Sequence, residues 1–274
     1  MALRQGYKYA PNSRQDPSFE IAASAPWSPV RHVNAYYSMR GVAAVFTFVK
    51  RLNGAQLKVQ LIIAIHAPIE VILWFHSTCV MNIISYNNAV SLYPRATFEE
   101  RRALVCPNGR SEQELAVEKY SARGWDMLRV LPESERTRLN PSFRLGPRWL
   151  EDSDSWIIPL DMAGVEPLPV ISPISAPIKQ DPVTVTTWEL SLTEEFGGQM
   201  EFFYLSHPTG LFYEYLIGDA EIYLFIKRVI AQRIDAHRVA TSNPSSSNHK
   251  HFDASVLTIC TALLREQQLV GLRP

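Results

Sequence analysis

The sequence predicts an α+β fold: mixed helices and short, mainly antiparallel strands, with a proline-rich strap. Three observations carry this expectation. Helical and strand periodicities follow one another along the 274 residues without a regular strand–helix–strand rhythm. Apolar residues make up 46% of the chain, enough to bury a real core in one large domain or two small ones. Between them, Pro167, Pro169, Pro173, Pro177 and Pro182 recur at a spacing that defeats both a helix and a central strand.

Residues 1–29 are polar and read as a poorly ordered arm. Ala35, Met39, Val42, Phe46 and Val49 step by three or four, which predicts a helix over 32–52 that Asn53-Gly54 stops. Residues 56–65 alternate Leu57, Val59, Leu61, Ile63 and Ile65 against Gln56, Lys58 and Gln60, the period of a strand. From Ile62 both faces are apolar, so the far end of that strand should be covered on both sides. A buried helix is expected after Pro68, with a buried strand over 69–75 as the alternative, and a short strand at 89–93.

Thr97-Phe98-Glu99-Glu100 and Ser111-Glu112-Gln113-Glu114 are capping-box patterns, which predict helices over 98–105 and 112–123. Gly124 ends the second. Strands are expected at 125–131, 144–150, 156–160 and 183–191. A hairpin should pair 199–206 with 211–217, and Asp219 can cap a helix over 220–238. A polar loop at 241–252 precedes a final helix over 254–269. The expected organisation is an arm (1–29), an α+β lobe (30–162), the strap (163–182) and a hairpin-plus-helices lobe (183–272) packing on the first.

The formal net charge is zero, but it is unevenly distributed: +5 over residues 1–55, 0 over 56–90, +3 over 91–150, −12 over 151–225 and +4 over 226–274. A chain basic at both ends with an acidic block between can dock on itself or face different partners. Three widely spaced cysteines, Cys79, Cys106 and Cys260, make no disulfide framework and no zinc half-site. They point to a reducing compartment, the cytoplasm or nucleus. The apolar run 59–84 has the length of a membrane span, but His66, Pro68, Glu70 and His76 fall inside it, so no membrane association is expected.

No phosphate-binding glycine loop, dinucleotide fingerprint, zinc-protease motif or nucleophile elbow is present. Gly197-Gly198 reads as a turn, and Glu194-Glu195 as a helix or turn opening. His76 and Cys79, three apart on the expected helix, could serve a metal or form a thiol–base pair, but apolar neighbours would desolvate a thiolate. Asp152 and Asp154, with Glu151, fit an acidic turn better than a calcium loop. His249 and His251 lie in a serine-rich loop that holds no geometry. Basic residues cluster at 95–102 (Arg95, Arg101 and Arg102, beside Tyr93 and Phe98) and at 227–238, but the neutral balance argues against nucleic acid.

Three strings, STCVMNIISYNNAVSLYPRATFEERRALV, EKYSARGWDML and RWLEDSDSWIIPLD, resemble blocks in uncharacterised fungal proteins over about residues 77–161. The resemblance brings no catalytic motif and implies no functional residue. Some fungal proteins of this broad kind follow an F-box, but no such helix trio is recognisable at the N-terminus of this chain.

The expected function is that of a soluble, intracellular, non-catalytic protein-interaction module with a protein partner and no cofactor or metal. The aromatic hairpin supplies the contact residues: Phe203, Tyr204, Phe212, Tyr213 and Tyr215. An enzyme using a pocket near His76 and Cys79, or near Asp152 and Asp154, is the alternative. Nucleic-acid binding through the basic clusters is the second.

Overall fold

The structure, a computed structural model, describes residues 5–25, 40–85, 87–106, 113–165, 182–195, 197–207, 210–211, 216–240 and 251–271. The fold is α+β, and the chain divides into two compact units, Met1–Val71 and Ile72–Pro274.

In the first unit, β1 (Lys8–Tyr9), β2 (Val42–Leu52) and β3 (Ala55–Ala64) form an antiparallel sheet in the order β1-β2-β3, and α1 is Phe19–Ser24. The expected helix over 32–52 is a strand wherever it is described. Val42, Val45, Thr47 and Val49 are β-branched, and Phe46 and Phe48 alternate with them. Asn53 and Gly54 both have positive φ, 50° and 79°, the two-residue turn that joins twisted strands. The dipeptide read as a helix stop is therefore the tip of a hairpin whose pairing runs from Leu52↔Ala55 to Val42↔Ala64. Tyr9, Phe19, Phe46 and Phe48 form an aromatic cluster with ring centroids 5.2–6.3 Å apart. β1 and α1 thus order part of the stretch expected to be an arm. The strand over 56–65 is present, but its far end is not covered: Ile62, Ile63 and Ile65 are 37–42% exposed.

The chain passes from the first unit to the second within α2 (Pro68–Leu73), where the expected long helix stops short. A 3-10 turn at Thr78–Val80 leads into β4 (Asn82–Ile84) and β5 (Asn88–Ser91). The expected helix over 98–105 is replaced by a π-helical turn at Arg95–Glu99 and by β6 (Arg102–Leu104). Arg101 has φ +52°, which ends helical geometry, and β6 pairs in parallel with β7 (Asp126–Leu128). The second capping-box helix is present as α3 (Gln113–Ala122), closed by Gly124 at φ +91°.

After α4 (Glu133–Arg136) come β8 (Gly146–Trp149) and β9 (Trp156–Pro159), which do not pair with each other. β9 joins the sheet β4-β5-β9, and β8 joins β11-β10-β8, with β10 at Thr187–Leu192 and β11 at Gly198–Glu201. Strands from before and after the proline-rich stretch therefore share one sheet; of that stretch, residues 166–181 lie outside the described residues. The expected hairpin splits: β11 pairs with β10, and only β12 (Phe203–Leu205) pairs with β13 (Leu216–Gly218).

α5 (Ala220–Ala240) and α6 (Asp253–Leu269) pack on each other. Asp219 caps α5, its Oδ1 accepting the amides of Glu221 and Ile222 at 3.0 and 3.1 Å. Ile222, Ile226 and Ile230 form the buried stripe of α5; Val256, Leu257, Cys260 and Leu264 form that of α6. Among the described residues, no helix is long and apolar enough to cross a membrane.

Candidate interaction surface

Of the five aromatic residues expected to meet a partner, the structure describes two. Phe203 opens β12 opposite Gly218 and is 49% exposed. A glycine offers no cross-strand side chain, so the ring leans instead on Tyr223 of α5, centroids 5.3 Å apart. Lys227, one turn further along, places its ammonium 5.2 Å from the Tyr223 ring. Leu224 beside them is 56% exposed. Leu205, on the same strand face as Phe203, is buried, so the cover over β12 gives out at Phe203. Tyr204 is half-buried opposite Ile217. Phe212, Tyr213 and Tyr215 lie outside the described residues. Phe202 turns the other way and packs on Trp74, centroids 5.1 Å apart.

His76 and Cys79 do come together, through the residue between them that sequence reasoning passed over. Ser77 Oγ lies 2.9 Å from His76 Nδ1 and 3.4 Å from Cys79 Sγ. The surroundings of Cys79 disfavour its thiolate form. Burial raises the Cys79 thiol above its ordinary pKa despite the Ser77 contact, and Cys106 is pushed up to about 12, first by burial and then by Cys79 nearby. The adjoining cavity, between Trp74, Cys106 and Met200, is about 20 Å³, room for one water. The three residues also serve the backbone: Ser77 bridges Val105, the His76 carbonyl accepts the Cys106 amide at 2.8 Å, and the Cys79 carbonyl accepts Asn82 Nδ2 at 2.9 Å.

Asp152 and Asp154 take up separate ion pairs, Asp152 with Arg148 and Asp154 with Arg144 at 2.8 Å. Arg148 is fully buried. Its guanidinium lies 4.9 Å from the Tyr93 ring and 5.4 Å from the Trp188 ring, and it donates to the Leu92 carbonyl at 3.1 Å and Ser155 Oγ at 3.3 Å. Trp188 Nε1 donates to Tyr93 Oη at 3.1 Å. Burial works against the guanidinium charge, but the Asp152 carboxylate keeps the Arg148 pKa above its ordinary value. This buried polar centre joins β8 to β10 and to the end of β5. The sequence signals only its turn, because Trp188 and Tyr93 lie far from Arg148 along the chain. Together the two ion pairs spend two carboxylates of the acidic block on basic residues of the preceding segment. Among the described residues, no cluster of histidine, cysteine and carboxylate ligands could hold a metal.

The basic cluster at 95–102 is engaged within the protein. Glu100 receives Arg95 (3.5 Å), Arg102 (3.0 Å) and Arg138 (3.1 Å), and Glu135 receives Arg102 at 2.8 Å. Arg101 lies 4.9 Å from the Trp125 ring. Tyr93 is buried, so no base can stack on it. Phe98 and Trp156 are another pairing that the sequence did not signal: both exposed, nearly parallel, with centroids 6.0 Å apart.

No protein-family profile, curated protein or solved structure matches this chain.

Proposed function

We propose that the protein works by binding another protein in the cytoplasm or nucleus, without chemistry of its own, through the end of β12 and the exposed flank of α5. The observation that carries this reading is Phe203, half exposed and steadied on Tyr223 with Lys227 and Leu224 alongside. A rigid aromatic ring backed by a second ring loses little entropy on contact, and aromatic residues, phenylalanine among them, are enriched at protein interfaces. The three buried free cysteines support a reducing compartment. The test is affinity capture with the full chain and with Phe203→Ala and Leu224→Ala variants of unchanged circular dichroism. The reading expects a binder retained by the wild type and depleted at least tenfold by Phe203→Ala. Capture of identical proteins by all three chains would overturn it.

A further inference from the structure

We infer that β3 is the pairing edge of a symmetric dimer, in which a second copy of this chain adds its own β3 antiparallel to the first. This rests on the first unit alone and is independent of the surface at Phe203. β3 is the outer strand in the order β1-β2-β3, so among the described residues one side of its ten-residue backbone has no neighbouring strand. Natural edge strands are blunted by proline, bulges, charges, short length or a covering helix or loop. β3 contains neither proline nor glycine and has one charge, Lys58, while the irregularity of the hairpin lies at Val42/Ala44 on β2. Leu57, Val59, Leu61, Ile62, Ile63 and Ile65 are 37–48% exposed. Phe19 of α1 packs on Phe46 and Phe48, which are buried, yet their partners across the hairpin, Leu61 and Val59, stay open on the same face. Among the described residues, the aromatic cover stops one strand short.

The sequence of this strand complements itself. Two-fold antiparallel pairing sets residues of like parity opposite one another. An axis at Leu61 pairs Leu61 with Leu61, Val59 with Ile63 and Leu57 with Ile65 of the second copy, all apolar. Lys58 then meets Ala64, and the two Lys58 ammoniums stand about 20 Å apart, beyond the screening length of about 8 Å at physiological salt. The exposed apolar area is on the order of 400 Å² per copy, within the range of the largest patch on a typical monomer, which is often functional. With the strand backbone included, two copies approach the lower end of specific interfaces, about 1,200 Å². The dimer is therefore expected to be reversible.

The test is sedimentation equilibrium of the full chain from micromolar to near-millimolar concentration. The mass of the wild type should rise from one chain to two. Leu61→Lys and Leu61→Glu each place like charges face to face at the axis, so each alone should stay monomeric with unchanged circular dichroism. An equimolar mixture should recover the dimer, because the opposite charges then meet. The mixture also answers loss of fold, since misfolded variants would not rescue one another. A wild type that stays monomeric throughout overturns the inference and leaves the edge to a strand of a different protein. Variants that dimerise as the wild type does, or folded variants whose mixture stays monomeric, overturn the Leu61-centred pairing.

Discussion

Arg148 and Asp152, four residues apart and both almost wholly excluded from water, are joined at two points: Nε to Oδ2 at 2.6 Å and Nη2 to Oδ1 at 3.1 Å. The Asp152 carboxylate also accepts the amides of Trp149 and Asp154 at 3.1 and 3.0 Å, so it closes its own turn while neutralising the arginine. Removing one partner leaves a buried, uncompensated charge. Arg148→Met should cost about 3–5 kcal/mol in a urea melt, and adding Asp152→Asn should recover part of the loss. Additive losses would show that the two side chains do not act as a pair.

Acid should weaken the network around α4. Burial alone would raise the Glu135 carboxyl, but hydrogen bonds from Arg102 and the Ser142 amide, with the charges of Arg102 and Arg138, hold it below its ordinary value of 4.5. Glu100 is depressed in the same way, against burial, by Ser142, Arg138 and Arg102. Both groups bind protons less readily when folded. Their stabilisation is complete above the ordinary carboxylate pKa and is lost as the pH falls through the depressed folded values. Urea midpoints measured downward from about pH 6 should decline steeply below about pH 4.5, and Glu135→Gln should flatten that limb.

The thiols should be silent in the native protein. Burial pushes Cys260, like Cys106, up to about 12, so only about one molecule in ten thousand carries either thiolate at pH 8. A chromogenic disulfide reagent should consume far less than one equivalent in native buffer and three equivalents in guanidinium. One fast native equivalent would contradict the burial of all three.

Gly198 leaves no room for a side chain. A Cβ there would lie 2.7 Å from Leu104 Cδ2 and 3.3 Å from Cys106 Sγ. Gly198→Ala should destabilise by about 1–3 kcal/mol through overpacking. In a Leu104→Ala background the same substitution should cost at least about 0.5 kcal/mol less, because the colliding methyl is gone.

Much of the fold is legible where local chemistry and tertiary structure agree. The helices α3, α5 and α6 combine good formers with stop or cap residues, and Gly124 and Asp219 stand where such residues belong. The strand at 55–64 shows its alternation openly. The errors arise where two readings compete. Val42, Phe46 and Val49 fit a helical stripe, yet residues 45–49 also alternate β-branched with aromatic side chains, and Asn53-Gly54 favours the hairpin. At Thr97, a sound capping box loses because Glu100 is drawn to three arginines and Arg102–Leu104 is taken by a parallel partner more than twenty residues away. Of the candidate surface, Phe203 was legible as an aromatic on a short strand. Its exposure was not, since that depends on Gly218 opposite and Tyr223 beneath.

The pairing of β8 with β10 joins Trp149 to Thr187 and Arg148 to Trp188, positions about forty residues apart. During synthesis at about 5–20 residues per second, Arg148 and Asp152 leave the ribosome about 2–8 s before Trp188 can cover them. The Arg148–Asp152 contact spans four residues and needs no other part of the chain, whereas sealing it from water needs a strand about forty residues on. The charge pair is thus a local feature, and its burial is a long-range one that depends on the strand after the proline-rich stretch.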